Sequence, residues 1–233
     1  MSPFFEEKIV ERTDKYEYVK VGNGEIRMYP IGKRDGVMPM FVRAAVTNRE
    51  DWLKTFKPRF DTQTPERWIG FEIKLSETEK HVKSGNAVFS YNSGAGYWFL
   101  RELLGPVGLL YAFYDEPGMI HDMMETWLKL SVETAVRVYD RLPFFRIFLN
   151  EDIAFKTGPL ISPKMFQKFL MPYYREFIQA IQSRKKGTLI VEVDTDGNPD
   201  DLLQLYIKCG VTAWSPCEVA AGCDPVDMSR KCK

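Results

Sequence analysis

Two aspartates two positions apart, Asp194 and Asp196, stand where the apolar run 188–193 (TLIVEV) meets a glycine turn. On a chain still extended past the end of a strand, such residues point to the same side. Paired carboxylates of this kind can hold a metal ion, share one proton, or exchange protons with a substrate. The stretch also has a purely structural use. Asp196-Gly197-Asn198 makes a turn, and Asn198 caps the helix that Pro199 opens. That use accounts for Asn198, but not for Asp194, which directly ends an apolar strand.

Other polar residues follow other apolar runs in the same way. Glu151 and Asp152 come after 146–149 (RIFL) and before a long connection, IAFKTGPLI, whose Lys156 can pair with either acid. Asn92 comes after 87–91 (AVFSY), and Ser215, Cys217 and Glu218 come after 211–214 (VTAW). Gly94-Ala95-Gly96-Tyr97-Trp98 is a glycine-rich approach to a helix. It either admits an anion to the helix N-terminus or lets backbone pack closely. Arg101, one turn on, is spaced to meet a substrate carboxylate bidentately. Glu151, Asp152, Asp194 and Asp196 are therefore the catalytic candidates. Asn92, Tyr97, Arg101, Lys156 and Glu218 are the candidate contacts to a small-molecule substrate.

The elements that must position these residues alternate. From residue 86 onward short apolar strands are each followed by helical text. Helices are predicted over 96–104 and 106–114, from Pro117 to about Arg141, from a Ser162 cap to about Arg184, and from Pro199 to a Cys209-Gly210 stop. A last helix begins at Asp224-Pro225. Strands alternating with helices imply a parallel sheet with crossover helices, and strands apolar throughout fit burial on both faces. Four βα units in this length match the density of a (β/α)8 TIM barrel, whose active site lies at the C-terminal ends of its strands. Residues 1–62 differ. YEYVKV and EIRMYP around Gly22-Asn23-Gly24 read as a β-hairpin, and Asn48 caps a short helix. The expected division is an extension over 1–62 and an incomplete β/α barrel over 63–233. A complete barrel needs further strands, so the chain reads as an internal fragment.

Composition excludes some partners. Hydrophobic residues make up 45% of the 233, enough for a sizeable core. Thirty-two basic residues balance 32 acidic ones, which leaves no electrostatic case for nucleic acid or an anionic membrane. No apolar run approaches a membrane span, and MSPFFEEKIVER is no leader sequence; a cytoplasmic protein is expected. The four cysteines, Cys209, Cys217, Cys223 and Cys232, lack metal-site spacing and read as reduced thiols. No GxGxxG follows the first strand, and no Walker motif is present. Tyr111, Phe113, Tyr114, Met119, Met123, Met124 and Trp127 read as core.

Three segments carry a family resemblance: GAGYWFLRELLGPVGLLYAFYDEPGMIHDMM, EDIAFKTGPLISPKMFQKFLMPYYREF and VDTDGNPDDLLQLYIKCGVTAWSPCEVAAGCDP. The chain resembles the uroporphyrinogen decarboxylase superfamily from residue 48 onward, nearer its corrinoid-linked methyltransferase branch. The resemblance implies a (β/α)8 barrel, longer in its typical members than this chain. It implies one of two reactions. The first is methyl transfer from a small methylated substrate to a corrinoid protein or a thiol. The second is decarboxylation of a uroporphyrinogen-like tetrapyrrole in porphyrin synthesis, which uses no cofactor. A non-catalytic fragment is the third reading. In the methyltransferases this strand ends His-x-Cys-Gly-Asn and supplies two zinc ligands. Here Asp194 falls at the histidine and Asp196 at the cysteine, so two hard oxygens replace softer donors. Glu218 is the candidate third ligand for zinc. The oligomeric state is not readable.

Overall fold

The computed structural model describes residues 1–85, 87–185 and 187–231, so Cys232 lies outside the described residues. The chain forms two compact units that interleave in sequence: Met1–Trp68 with Leu100–Ile120, and Ile69–Phe99 with His121–Lys233.

The first unit holds a four-stranded antiparallel sheet, β1 (Lys8–Arg12), β2 (Tyr16–Lys20), β3 (Ile26–Pro30) and β4 (Met40–Arg43), in sequential order. β2 and β3 form the hairpin predicted from Gly22-Asn23-Gly24. Gly24 sits at φ +94°, and its N–H donates to Val21 O at 2.8 Å, a conformation that a side chain disfavours. Asn48 caps α1 (Arg49–Asp51) by accepting the Asp51 N–H at 2.9 Å. The chain continues as a π-turn over Trp52–Phe56, then as a 3-10 turn over Lys57–Phe60, with Trp52 and Phe56 buried. α4 (Pro106–Asp115) contributes buried Leu109 and Phe113.

α2 (Pro65–Lys83) starts with proline at the first helical position, as such starts favour. α3 (Gly96–Leu104) and α5 (Pro117–Arg141) likewise begin where the sequence places them.

The second unit is built on a parallel sheet ordered β10 (Ala213–Ser215), β9 (Ile190–Asp194), β6 (Arg146–Asn150), β5 (Tyr91–Gly94). The α/β reading holds, with four parallel strands. Among the described residues no further strand closes this sheet into a barrel. The first strand departs from expectation. It covers 91–94, not 87–91, because its register follows β6: Tyr91 pairs Ile147 and Gly94 pairs Asn150. Val88, in the apolar run, is left 82% exposed. The helix predicted over 162–184 is two helices, α6 (Pro163–Phe169) and α7 (Met171–Gln182), divided at Leu170. Pro172 explains the break, since proline offers no N–H and its ring crowds the carbonyl four residues back. Ser162 caps α6 through the Met165 N–H at 3.2 Å.

The two faces of the parallel sheet differ. Ile147, Leu149, Val191 and Val193 are buried on one face. Phe148, Asn150, Glu192 and Asp194 alternate onto the other, which is half-exposed and polar. There Arg146 pairs with Glu192 at 2.7 Å, and Ser215 Oγ donates to Glu192 Oε1 at 2.7 Å. A ribbon of β7 (Ala154–Phe155) and β8 (Gly158–Pro159) follows β6, and α8 (Asp200–Cys209) follows β9, stopped by Gly210 in the left-handed conformation. α9 (Pro225–Lys231) is the final helix.

Candidate active site

Strand register lines up the last residues of the four parallel strands. Gly94 pairs Asn150, Asn150 pairs Asp194, and Asp194 pairs Ser215. The ladder continues past these ends. Ala95 N–H donates to Asn150 O at 2.8 Å, Glu151 N–H to Asp194 O at 2.8 Å, and Thr195 N–H to Ser215 O at 2.9 Å. The connections therefore leave the sheet at one level and surround a cavity of about 420 Å³. Gly94, Trp98, Asn150, Glu151, Asp152, Asp194, Thr195 and Asp196 line it.

The turn after β9 is held from several sides. Thr195 is buried, and its Oγ1 accepts the N–H groups of Ile153 at 2.9 Å and Ala154 at 3.3 Å. Gly197, at φ +83°, lies against the ribbon so closely that a Cβ would fall 2.7 Å from the Phe155 carbonyl. Asn198 Oδ1 accepts the Asp200 N–H at 3.1 Å, but α8 begins at Asp200 with Pro199 in the cap position, so Asn198 stands one residue ahead of the capping place predicted for it.

Asp194 and Asp196 reach the same cavity. Asp194 is held above its ordinary carboxylate range, first by burial and then by the charges of Asp196, Glu192 and Asp152. Asp152 is the one described non-glycine residue at positive φ, +50°. That conformation is uncommon, and aspartate is among the few side chains that tolerate it.

Glu151 is not the partner of Lys156. Its carboxyl is fully buried, and Tyr206 Oη donates to its Oε1 at 2.5 Å, while Tyr174 Oη donates to the same oxygen. Tyr174 in turn accepts the Tyr97 N–H at 3.0 Å. Burial pushes the Glu151 carboxyl up to about 7, against the opposing pull of the two phenols and of the Trp98 and Tyr97 N–H groups. Its Oε2 has no hydrogen-bond partner. Lys156 is exposed on the ribbon turn, where the low dielectric that would favour a pair with buried Glu151 is absent.

The remaining candidates are placed as follows. Asn92 accepts a hydrogen bond from Asn150 Nδ2 at 2.6 Å. Tyr97 is buried in the core, whereas its neighbour Trp98 lines the cavity. Arg101 belongs to the first unit. Glu218 Oε2 accepts the Gly197 N–H at 2.7 Å, so its carboxylate braces the turn. The donor set expected for zinc, Asp194, Asp196 and Glu218, does not assemble. Among the described residues no three His, Cys, Asp or Glu side chains converge as metal ligands.

Tyr174, Tyr206, Trp98 and Thr195 are not among the candidates the sequence yields. A buried carboxyl demands donors, but the tyrosines lie 23 and 55 positions from Glu151, and no local spacing announces them.

No family model and no curated protein matches the sequence. A solved structure of a methyltransferase from Methanosarcina mazei is similar at 12% identity, with a TM-score of 0.49 over 76% of this chain and 48% of that one. The chain thus spans about half the length of that neighbour. Among the described residues no helix is long and apolar enough to cross a membrane.

Proposed function

We propose that this cavity is the substrate pocket of an enzyme that moves a methyl group from a small methylated donor to a nucleophile, either a corrinoid carried by a partner protein or a thiol. The carrying observation is the convergence of Asp152, Asp194 and Asp196 on one cavity, with Asp194 held above its ordinary range. When a methyl group leaves oxygen or nitrogen, the bonding pair stays on that atom, and an oxygen then needs a proton. A carboxyl with a raised pKa at the strand end can give it, and Asp196 and Asp152 make the proton easier to hold beforehand. No step is assigned to zinc, because the ligand set is not formed. The four βα units are read as part of a (β/α)8 barrel, in which strand ends form the catalytic face.

Decarboxylation of a uroporphyrinogen-like tetrapyrrole fits less well. Such a substrate carries several carboxylates, and the described lining residues offer three aspartates and no Lys or Arg. The test is methyl transfer from a panel of O- and N-methylated small molecules to free cob(I)alamin, followed by absorbance. Asp194→Asn is expected to lower the rate by about 100-fold. An unchanged rate in that variant, or carbon dioxide release from uroporphyrinogen in place of methyl transfer, overturns the reading.

A further inference from the structure

The cavity wall combines two features that meet in few ligands. One side is aromatic: Trp98 Cδ1 lies 3.2 Å from where a Cβ on Gly94 would stand, so the missing side chain makes room for the indole over the end of β5. The other side is anionic, from Asp194, Asp196 and Asp152. Glu192, one pleat below, already has Arg146. Glu151, which also lines the cavity, is wholly buried, and its Oε2 has no hydrogen-bond partner.

We propose that the cavity binds a methylated ammonium group between the Trp98 indole and the Asp194 carboxylate. This rests on reading the cavity as the substrate pocket, and it names the class of donor. From such a donor the amine leaves neutral, so Asp194 serves there as the ionised counter-charge and the proton it would give to an oxygen is not needed. The dimensions agree. Gly94 and Asp194 end strands two apart in the sheet, a span of roughly 10 Å. A cation within about 6 Å of a ring centroid and about 4 Å from a carboxylate oxygen fills that span. A bare metal ion is the poorer occupant, since among the described residues no three carboxylates are placed to ligate one ion. A cavity of about 420 Å³ is of small-molecule size. An aromatic face selects weakly hydrated cations, of which methylated ammonium is the common biological case.

The probes are choline and its uncharged isostere 3,3-dimethyl-1-butanol, titrated calorimetrically into the whole chain. Choline is expected to bind about tenfold more tightly than the alcohol. Trp98→Ala and Asp194→Asn should each weaken choline binding about tenfold, while the alcohol is little affected by Asp194→Asn. Trp98→Phe keeps a ring over Gly94 and should lose only a few-fold, which separates recognition from folding. Equal binding of choline and the alcohol overturns the inference. So does no binding of choline, or displacement of choline by equimolar magnesium. Methyl transfer from neutral ethers without choline binding would overturn this inference and leave the proposed function standing. Choline binding without any methyl transfer would support the inference while overturning that function.

Discussion

Glu151 shows how one side chain can be fixed by neighbours far away in sequence. Two phenols donate to one of its oxygens, and burial still carries its pKa from 4.5 up to about 7. The native state therefore binds a proton between these values that the unfolded chain has already released. Stability must fall as pH rises through that window, by about 3 kcal/mol for this group. Glu151→Gln keeps the acceptor for both tyrosines and cannot ionise. Between pH 4.5 and 8 the stability gap should move in favour of the variant by about that amount, as read from urea midpoints. A gap that does not change with pH would show that Glu151 does not titrate there. Asp194 was legible in the sequence because it is the last residue of an apolar strand, a position that fixes its direction. The environment of Glu151 was not legible, because Tyr174 and Tyr206 come from different helices and only tertiary packing brings them to it.

At the level of elements, two glycines should respond in opposite ways. At Gly197 a side chain meets the Phe155 backbone at 2.7 Å, and φ is +83°. Gly197→Ala is expected to cost at least about 2 kcal/mol, because neither the strain nor the backbone clash can relax cheaply. Gly108 lies inside α4, and nothing comes within 4 Å of a Cβ there. Gly108→Ala should stabilise by about 0.5–1 kcal/mol through helix propensity and reduced unfolded-state freedom. Chemical unfolding of both variants tests the pair, and a tolerated alanine at 197 would mean that the turn is not pinned to the ribbon. The order of strands and helices was readable from apolar runs and caps such as Ser162 and Asn48. What failed were boundaries set by partners. The start of β5 is decided by pairing with β6, and the α6–α7 break falls beside Pro172, inside a stretch read as a single helix from its Ser162 cap.

For the molecule as a whole, charge and edges matter most. The chain is formally neutral, so no net repulsion opposes self-association near pH 7. β4 is an edge strand with Met40, Phe41 and Val42 exposed, and Met38 beside it is 91% exposed. Unpaired apolar edges invite pairing with other chains. Sedimentation velocity should show association that grows with concentration and is reduced in Val42→Lys; indifference to that substitution would point to another surface. The interleaving of the two units could not be read from composition, since no linker-like stretch marks residues 68, 99 or 120, where the chain passes from one unit to the other.

The unlike faces of the parallel sheet have a consequence for how such a protein changes over generations. Asn150, Asp194 and Ser215 are each the last residue of a strand on the half-exposed face, while the residues that seal the core point the opposite way. On the proposed function, folding and ligand preference are thus written in alternate letters of the same strands. New specificities can be sampled at Asn150 and Asp194, the two of these that line the cavity, while the interior stays untouched, which gives selection a set of dials largely uncoupled from survival of the fold.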